Sequence, residues 1–345
     1  MKIKNIYIAL AVSLLVLSAC ENQEQEFPDF DYQTVYFANQ LAMRTVELGE
    51  DDIVDNSMDN QHKVIIKAVM GGAYTNTKTR TIDIAVENSL CDKLYFKGGT
   101  QVLPMPANYY TLSSNKIEIT PGNIQGGVEV QLTDAFFEDA KALSENYVIP
   151  LVMTNAQGVD SILRGNAYTE NPDRFVDDDW SILPKDYVLY GIKYVNEWHG
   201  IYLRRGTDVK TMPDGSTVTE SRHAQYVEKD QVVNINTTKL KESVMPLTTK
   251  NPNNGANLNY YIRFKIADDG TCTLESTLSS IVITGTGKYV SKGEKNSMGG
   301  KDRSVIYLDY SVDFRNYNMK YATKDTLVLR ERGVYGAGFF EVEKR

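Results

Sequence analysis

The side chains able to do chemistry in this chain are few or scattered: three histidines (His62, His199 and His223), three cysteines, and 45 Asp and Glu. The histidines stand far apart, and no ligand types flank them at metal-binding spacing. A zinc site needs three or four converging ligands, so no metal centre is expected. G-x-S-x-G, Walker and H-E-x-x-H patterns are absent. Gly285-Thr286-Gly287-Lys288 lacks the leading glycine and trailing Ser/Thr of a phosphate loop and reads as a strand bend. Asp173, Asp177, Asp178 and Asp179 carry enough oxygens for calcium, but not at EF-hand spacing, and read as a solvated acidic linker. Glycoside hydrolysis needs two carboxylates held roughly 5–9.5 Å apart, and nothing in the sequence singles out one pair. The chain is therefore read as non-catalytic, with no cofactor.

Cys20 is the exception, because its surroundings define a chemistry. Met1-Lys2-Ile3-Lys4 is followed by an apolar run from Ile6 to Leu17, then Ser18-Ala19-Cys20. A basic start and a short apolar stretch make residues 1–19 a secretory signal, shorter than the roughly 20 apolar residues a spanning helix needs. The small residues before Cys20 resemble the lipobox of bacterial lipoproteins. That resemblance implies cleavage just before Cys20 and attachment of a diacylglyceryl group to its thiol. Several acyl chains on one residue hold a protein at a membrane where one chain is marginal. Residues 21–26 are polar and acidic with nothing to bury, so residues 20–33 read as a flexible tether. Acidic residues after the lipidated cysteine resemble the surface-export signals of Bacteroidetes lipoproteins. The implied location is the outer membrane, lipid-anchored, at the cell surface.

Charge narrows the partners. Loss of Lys2 and Lys4 with the signal moves the net charge from −8 to −10. An acidic body argues against nucleic acid, which needs a basic face, and leaves the lipid anchor as the only expected membrane contact. Cys91 and Cys272 are distant and isolated, and read as small buried hydrophobes rather than redox or metal ligands. Tyrosine is over-used, 22 against 11 Phe and 2 Trp. It suits strands, and its ring can stack on flat apolar faces while the hydroxyl stays wet.

Period-two alternation runs through most of the chain, so the fold class is all-β. Val64, Ile66 and Ala68 share a face, as do Ile82, Ile84 and Val86, and Val128, Val130 and Leu132. Tyr147 to Met153 is a continuous apolar run and predicts a central strand. A short helix is expected from Asp134, as N-cap, to Leu143. Seven or eight strands over residues 34–166 predict a β-sandwich. Proline, four aspartates and lost alternation mark a linker over residues 167–187. Strands then resume with Val188, Tyr190, Ile192 and Tyr194, and hairpin turns at Pro213-Asp214-Gly215 and Asp269-Gly270 predict an antiparallel meander over 188–345. A meander of about eight strands removes its edges by closing into a barrel.

The two halves together resemble a group of Bacteroidetes cell-surface lipoproteins that pair an N-terminal immunoglobulin-like domain of unknown function with a C-terminal lipocalin-like domain. The resemblance is carried by residues 33–37 (Gln-Thr-Val-Tyr-Phe), Leu103-Pro104, Asn108-Tyr109-Tyr110, residues 119–122 (Ile-Thr-Pro-Gly) and residues 146–151 (Asn-Tyr-Val-Ile-Pro-Leu). In the second half it is carried by residues 198–202 (Trp-His-Gly-Ile-Tyr), Leu308-Asp309-Tyr310 and residues 325–330 (Asp-Thr-Leu-Val-Leu-Arg). Many such proteins are accessories of polysaccharide-uptake systems, beside a TonB-dependent transporter and its glycan-capturing lipoprotein. In lipocalin-like barrels a Trp near the start of the first strand closes the floor against an Arg of the last. Trp198 and Arg330 stand in matching places, so the resemblance implies that role for them.

The expected function is thus non-catalytic binding of a polysaccharide or oligosaccharide, by aromatic stacking and hydrogen bonds. Trp180 and Tyr187, beside the linker, are the candidate ligand-binding residues. The alternatives are an adhesive or structural lipoprotein that binds a protein partner, and a small-ligand carrier using the barrel interior. The carrier requires an open lumen.

Overall fold

The computed structural model describes residues 30–345. The signal segment, Cys20 and most of the tether lie outside the described residues. The first half contains β1 (Thr34–Tyr36), β2 (Leu41–Glu47), β3 (Lys63–Gly71), β4 (Arg80–Val86), β5 (Leu94–Phe96), β6 (Leu103–Pro104), β7 (Tyr110–Leu112), β8 (Lys116–Ile119), β9 (Gln125–Leu132), β10 (Tyr147–Gln157) and β11 (Ser161–Ile162). Then follow β12 (Asn166–Ala167), β13 (Trp180–Ile182), β14 (Tyr187–Val195), β15 (Gly200–Thr211), β16 (Thr217–Arg222), β17 (Gln231–Lys239), β18 (Glu242–Lys250) and β19 (Asn257–Ile266). The chain ends with β20 (Thr271–Ser276), β21 (Ile281–Glu294), β22 (Arg303–Phe314), β23 (Met319–Glu331), β24 (Ala337–Phe339) and β25 (Val342–Lys344).

Two sheets form the sandwich. One runs β11-β1-β3-β9-β7, the other β24-β2-β14-β10-β4-β8, with β6 added to β10. Alternation explains the layering. Val64, Ile66, Ala68 and Met70 of β3 and Val128, Val130 and Leu132 of β9 face Ile82 and Ile84 of β4 and Ile149, Leu151 and Met153 of β10 in one core. As expected, β10 is central, between β4 and β14, and buried on both faces. The expected helix is broken: a turn of α-helix, Asp134–Glu138, has Thr133 rather than Asp134 at its N-cap position, without a side-chain capping bond, and a 3-10 turn follows over Ala140–Leu143. Asp139 interrupts it with an extended backbone, and its carboxylate accepts from the Tyr109 and Tyr147 hydroxyls (2.9 and 2.6 Å) and from the Lys141 N–H.

The second half is a closed antiparallel barrel in the order β15-β17-β18-β19-β20-β21-β22-β23, with β23 returning to β15; β16 extends β15 outward as a flap. Gly285 and Gly287 belong to β21, where a Cβ would stand 2.4 Å from the Tyr310 Cβ and 2.5 Å from the Leu308 side chain. Close strand approach, not phosphate chemistry, accounts for them. The lumen is filled by Tyr202, Ile262, Phe264, Val312 and Phe314, with Arg204 paired to Asp325 (2.8 Å) among them. The carrier reading, which needed an open lumen, loses its premise.

The domain boundaries differ from expectation in two places. β14, expected to open the barrel, instead lies in the sandwich between β2 and β10, with Val188, Ile192 and Tyr194 in the sandwich core. The C-terminal residues, expected in the barrel, return to the sandwich: β24 pairs with β2 and β25 with β5. Alternation specifies a strand but not its sheet, and both errors come from assigning strands to their sequence neighbours. The barrel strands themselves span Gly200–Glu331. Between the domains, the buried Asn196 amide donates to the carbonyls of Lys239 and Glu242 (3.0 Å each) and to the Ser243 hydroxyl (2.9 Å).

Candidate functional site

The return of the C-terminal residues to the sandwich builds a groove. Its walls are the approach to β2 (residues 38–41), the linker around Arg174, Phe175 and Asp177, Tyr187 at the start of β14, and Phe339 and Phe340. It encloses about 390 Å³, and a second hollow of about 290 Å³ adjoins it, sharing Ala38, Asn39 and Phe339. Phe339 therefore stands between two concavities, and it is 71% exposed. Its neighbour Phe340 points the other way and is buried against Phe96, ring centroids 5.0 Å apart. Alternation at the end of β24 thus presents Phe339 to solvent and buries the next residue, Phe340, as an anchor.

The groove wall is held by charge. Asp186 is buried and accepts from Arg174 at 2.9 Å and from Arg164 at 3.4 Å. The Arg174 guanidinium also stands 5.6 Å from the Tyr187 ring centroid, and Phe175 meets the same ring edge-to-face at 5.6 Å. Lys344 bridges to Asp173 and lies 5.7 Å from the Phe175 ring. Burial pushes the Tyr187 hydroxyl up to about 12, against the pull of Arg174. That hydroxyl therefore stays protonated at neutral pH and can donate. The arrangement supplies aromatic faces for stacking and, from Arg174, Asp177 and Asn39, polar groups for hydroxyls. Asp177 is the only carboxylate in the lining. Among the described residues no cluster of three or more His, Cys, Asp or Glu suits a metal. Cys91 and Cys272 are free, buried thiols.

Of the two residues expected to touch ligand, Tyr187 lines the groove, though its own side chain is mostly covered. Trp180 does not: it sits in the β12–β13 hairpin, where its indole N–H donates to the Asp173 carbonyl at 2.8 Å. It fixes the linker on which Arg174 and Phe175 stand. Trp198 is buried in the barrel core, edge-on to Tyr289 at 6.3 Å, and its carbonyl accepts from the Tyr202 hydroxyl. Its expected partner is displaced. Inward positions on β23 are odd-numbered, from Met319 to Leu327, so Arg330 faces out, 45% exposed, and pairs with Glu331. Beyond a bulge opposite Ile201 and Tyr202, Arg332 is the buried arginine. It donates to the carbonyls of Leu48 (2.9 Å) and Asn196 (2.8 Å), tying the end of the barrel to the sandwich. The groove residues not foreseen are Arg174, Phe175, Phe339 and Phe340. The signal that could have flagged the last two is an aromatic pair, one of which alternation must expose, just after the glycine-rich residues 333–338.

Residues 197–333 match the family model of a domain of unknown function, DUF5627, and residues 30–160 match a model described only as an N-terminal domain. The first span coincides with the barrel. No curated protein matches. Among solved structures, the chain is similar at 11% identity (TM-score 0.40, 88% of this chain and 97% of the other) to a multidomain Bacteroides ovatus protein including DUF1735. It is similar at 12% identity (TM-score 0.34, 83% and 90%) to a Bacteroides thetaiotaomicron protein described as an auxiliary nutrient binding protein. A much nearer likeness is a crystal structure of a Bacteroides ovatus protein of unknown function: 56% identity, TM-score 0.88, covering 92% of this chain and all of the other. At that identity and coverage, this chain belongs to the same family as that Bacteroides ovatus protein.

Proposed function

We propose that this protein is a non-catalytic lipoprotein, anchored through Cys20 at the outer membrane and facing outward, that binds glycan in the groove between linker, β14 and C-terminal strands. It would serve as an accessory of a polysaccharide-uptake system, holding carbohydrate near a TonB-dependent transporter. The observation that carries the glycan reading is Phe339: a ring 71% exposed on a short paired strand, flanked by two hollows and anchored through buried Phe340. An exposed ring in a fixed place offers a sugar face its apolar surface at little entropic cost. Arg174 and Asp177 favour a sugar bearing a charged or strongly polar substituent. The test is affinity electrophoresis of the mature protein in gels containing single polysaccharides. Native protein is retarded by at least one, and Phe339→Ala abolishes that retardation while leaving the melting temperature within about 2 °C, as expected of an exposed side chain. Unchanged retardation in Phe339→Ala removes the groove from the reading; retardation by no polysaccharide removes glycan binding altogether.

The adhesive alternative has one observation in its favour. β16 pairs with β15 on one side only, and Thr217–Glu220 and Ser221 are exposed along its other edge, a geometry that can receive a partner strand. Sugar-independent capture of one protein, lost on Val218→Pro, distinguishes it.

A further inference from the structure

The barrel wall is open along one seam. The ladder between β17 and β18 covers only Asn236–Lys239 against Glu242–Val244. Beyond it, Gln231–Ile235 of β17 pair with β15 alone, and Met245–Lys250 of β18 pair with β19 alone. The ladder stops two residues short of Pro246, which has no N–H to extend it. On the two facing strands the alternate backbone groups turned toward the seam have no ladder partner, Pro246 offering its C=O alone.

The seam forms a furrow of about 400 Å³ on the outer face of the barrel. That volume lies in the range of roughly 300–1,000 Å³ found for small-molecule sites. Its lining includes Asn234, Pro246, Thr248, Asn259 and Tyr261 on the outside and the buried Val233 and Leu247 at its base, with Gln231 and Val232 at one end. Tyr260, Ile262 and Phe264 of β19 fill the lumen, so Tyr261 faces outward, in register with Pro246. Thr248 donates to the Asn259 carbonyl oxygen at 2.8 Å, which fixes the amide and leaves its NH₂ to donate outward. Gln231 is fixed likewise, its carbonyl oxygen accepting from Arg204 at 3.1 Å.

No residue of this lining carries a charge, in a chain of which 24% is Asp, Glu, Lys or Arg. An ionic ligand would find no counter-charge here, and an apolar one would leave the amides and free backbone groups unpaired. A ligand dense in hydroxyls and without charge satisfies both. We propose that the β17–β18 seam is a second binding site, separate from the junction groove, and that it takes a neutral oligosaccharide. Tyr261 would stack on a ring, while Asn234, Asn259 and the free strand edges would bond its hydroxyls. The inference rests on the seam's own chemistry and stands whether or not the junction groove binds sugar.

The experiment is calorimetric titration of the mature protein with gluco-, xylo-, manno- and galacto-hexaoses, and with oligogalacturonate as a charged control. The expected result is binding of at least one neutral hexaose, weakened about tenfold or more by Tyr261→Ala and by Asn259→Ala, and unchanged by Phe339→Ala. Circular dichroism melts of the variants confirm the fold. The proposal is overturned if no neutral hexaose binds, if oligogalacturonate binds there more tightly than every neutral probe, or if binding survives both seam substitutions. Loss confined to Phe339→Ala overturns it too, and leaves the junction reading standing.

Discussion

Glu47 ends β2 beside the domain junction, and its titration can be worked through from the structure. Its side chain is 4% exposed and lies 3.4 Å from the Arg332 guanidinium. Asp59, held by Arg44 at 2.6 Å, accepts from the Glu47 backbone N–H, so further negative charge stands close by. Burial outweighs the pull of Arg332 and, helped by Asp51 and Asp59, pushes the Glu47 carboxyl up from 4.5 to about 7. The folded chain thus holds a proton that the unfolded chain releases between about pH 4.5 and 7. Stability from this group is fully present below pH 4.5 and is lost as pH rises to 7, a contribution of about 3 kcal/mol. Glu47→Gln copies the protonated form and removes the pH dependence. Unfolding by urea from pH 4.5 to 8 should show the variant gaining on the native protein by up to about 3 kcal/mol as pH rises, with the change complete near pH 7. His199, half-buried and pushed down to about 4 by that burial, works in the opposite sense between pH 4 and 6.5. It is present in both proteins and cancels in the difference. If the native protein instead gains on the variant as pH rises, attraction to Arg332 outweighs burial and the reasoning fails.

Trp198→Ala should destabilise the barrel by roughly 3–5 kcal/mol, the usual loss for a buried aromatic, and leave polysaccharide retardation unchanged at temperatures where the variant is folded; differential scanning calorimetry and the gel assay together check it. Asp325→Asn removes the shared anion of Arg204 (2.8 Å) and Arg222 (2.5 Å) inside the barrel, where its side chain is fully buried. That leaves the buried Arg204 without a carboxylate and the largely covered Arg222 with Asp208 alone, and urea denaturation should show a loss of roughly 3–5 kcal/mol.

The strands were legible because alternation is local, and it survives in the structure nearly everywhere it was read. β10 was legible as central because an unbroken apolar run from Tyr147 to Met153 requires cover on both faces. What alternation cannot encode is pairing. β14 carries Val188, Tyr190, Ile192 and Tyr194 on one face, which suits a barrel wall as well as a sandwich; only the register with Leu41–Glu47 and Val148–Val152 decides it. Arg330 failed for a subtler reason. Its distance from Trp198 in the chain is right, but parity along β23 puts it outside, and the bulge at Ile201 and Tyr202 hands the buried place to Arg332. Tyr187 lies at the groove and Trp180 does not, because an aromatic in a linker can serve a concavity or the linker itself, and the carbonyl of Asp173 that claims the Trp180 indole is not predictable from composition.

The groove itself depends on long-range closure. Its aromatic rim comes from residues that follow the last barrel strand, so the rim exists only once the barrel is complete and its end is joined to the sandwich. Arg332 makes that join through the carbonyls of Leu48 and Asn196. Four residues on, Gly336 lies so close to Arg44 that a Cβ would meet its Nη1 at 2.3 Å, and its carbonyl accepts from the Thr45 N–H at 3.0 Å. Arg44 in turn is held by Asp59, which also holds the Glu47 N–H. The Arg44–Asp59 pair that seats β24 is thus linked through Glu47, 3.4 Å from Arg332, to the arginine that fixes the junction, and β24 holds Phe339 at the groove. A three-residue edge strand has too few ladder bonds to keep a ring in place unaided. Its fixity comes from Phe340 buried behind it and from the Arg44–Asp59 pair in front, which is why an exposed ring on so short a strand can still be held in place.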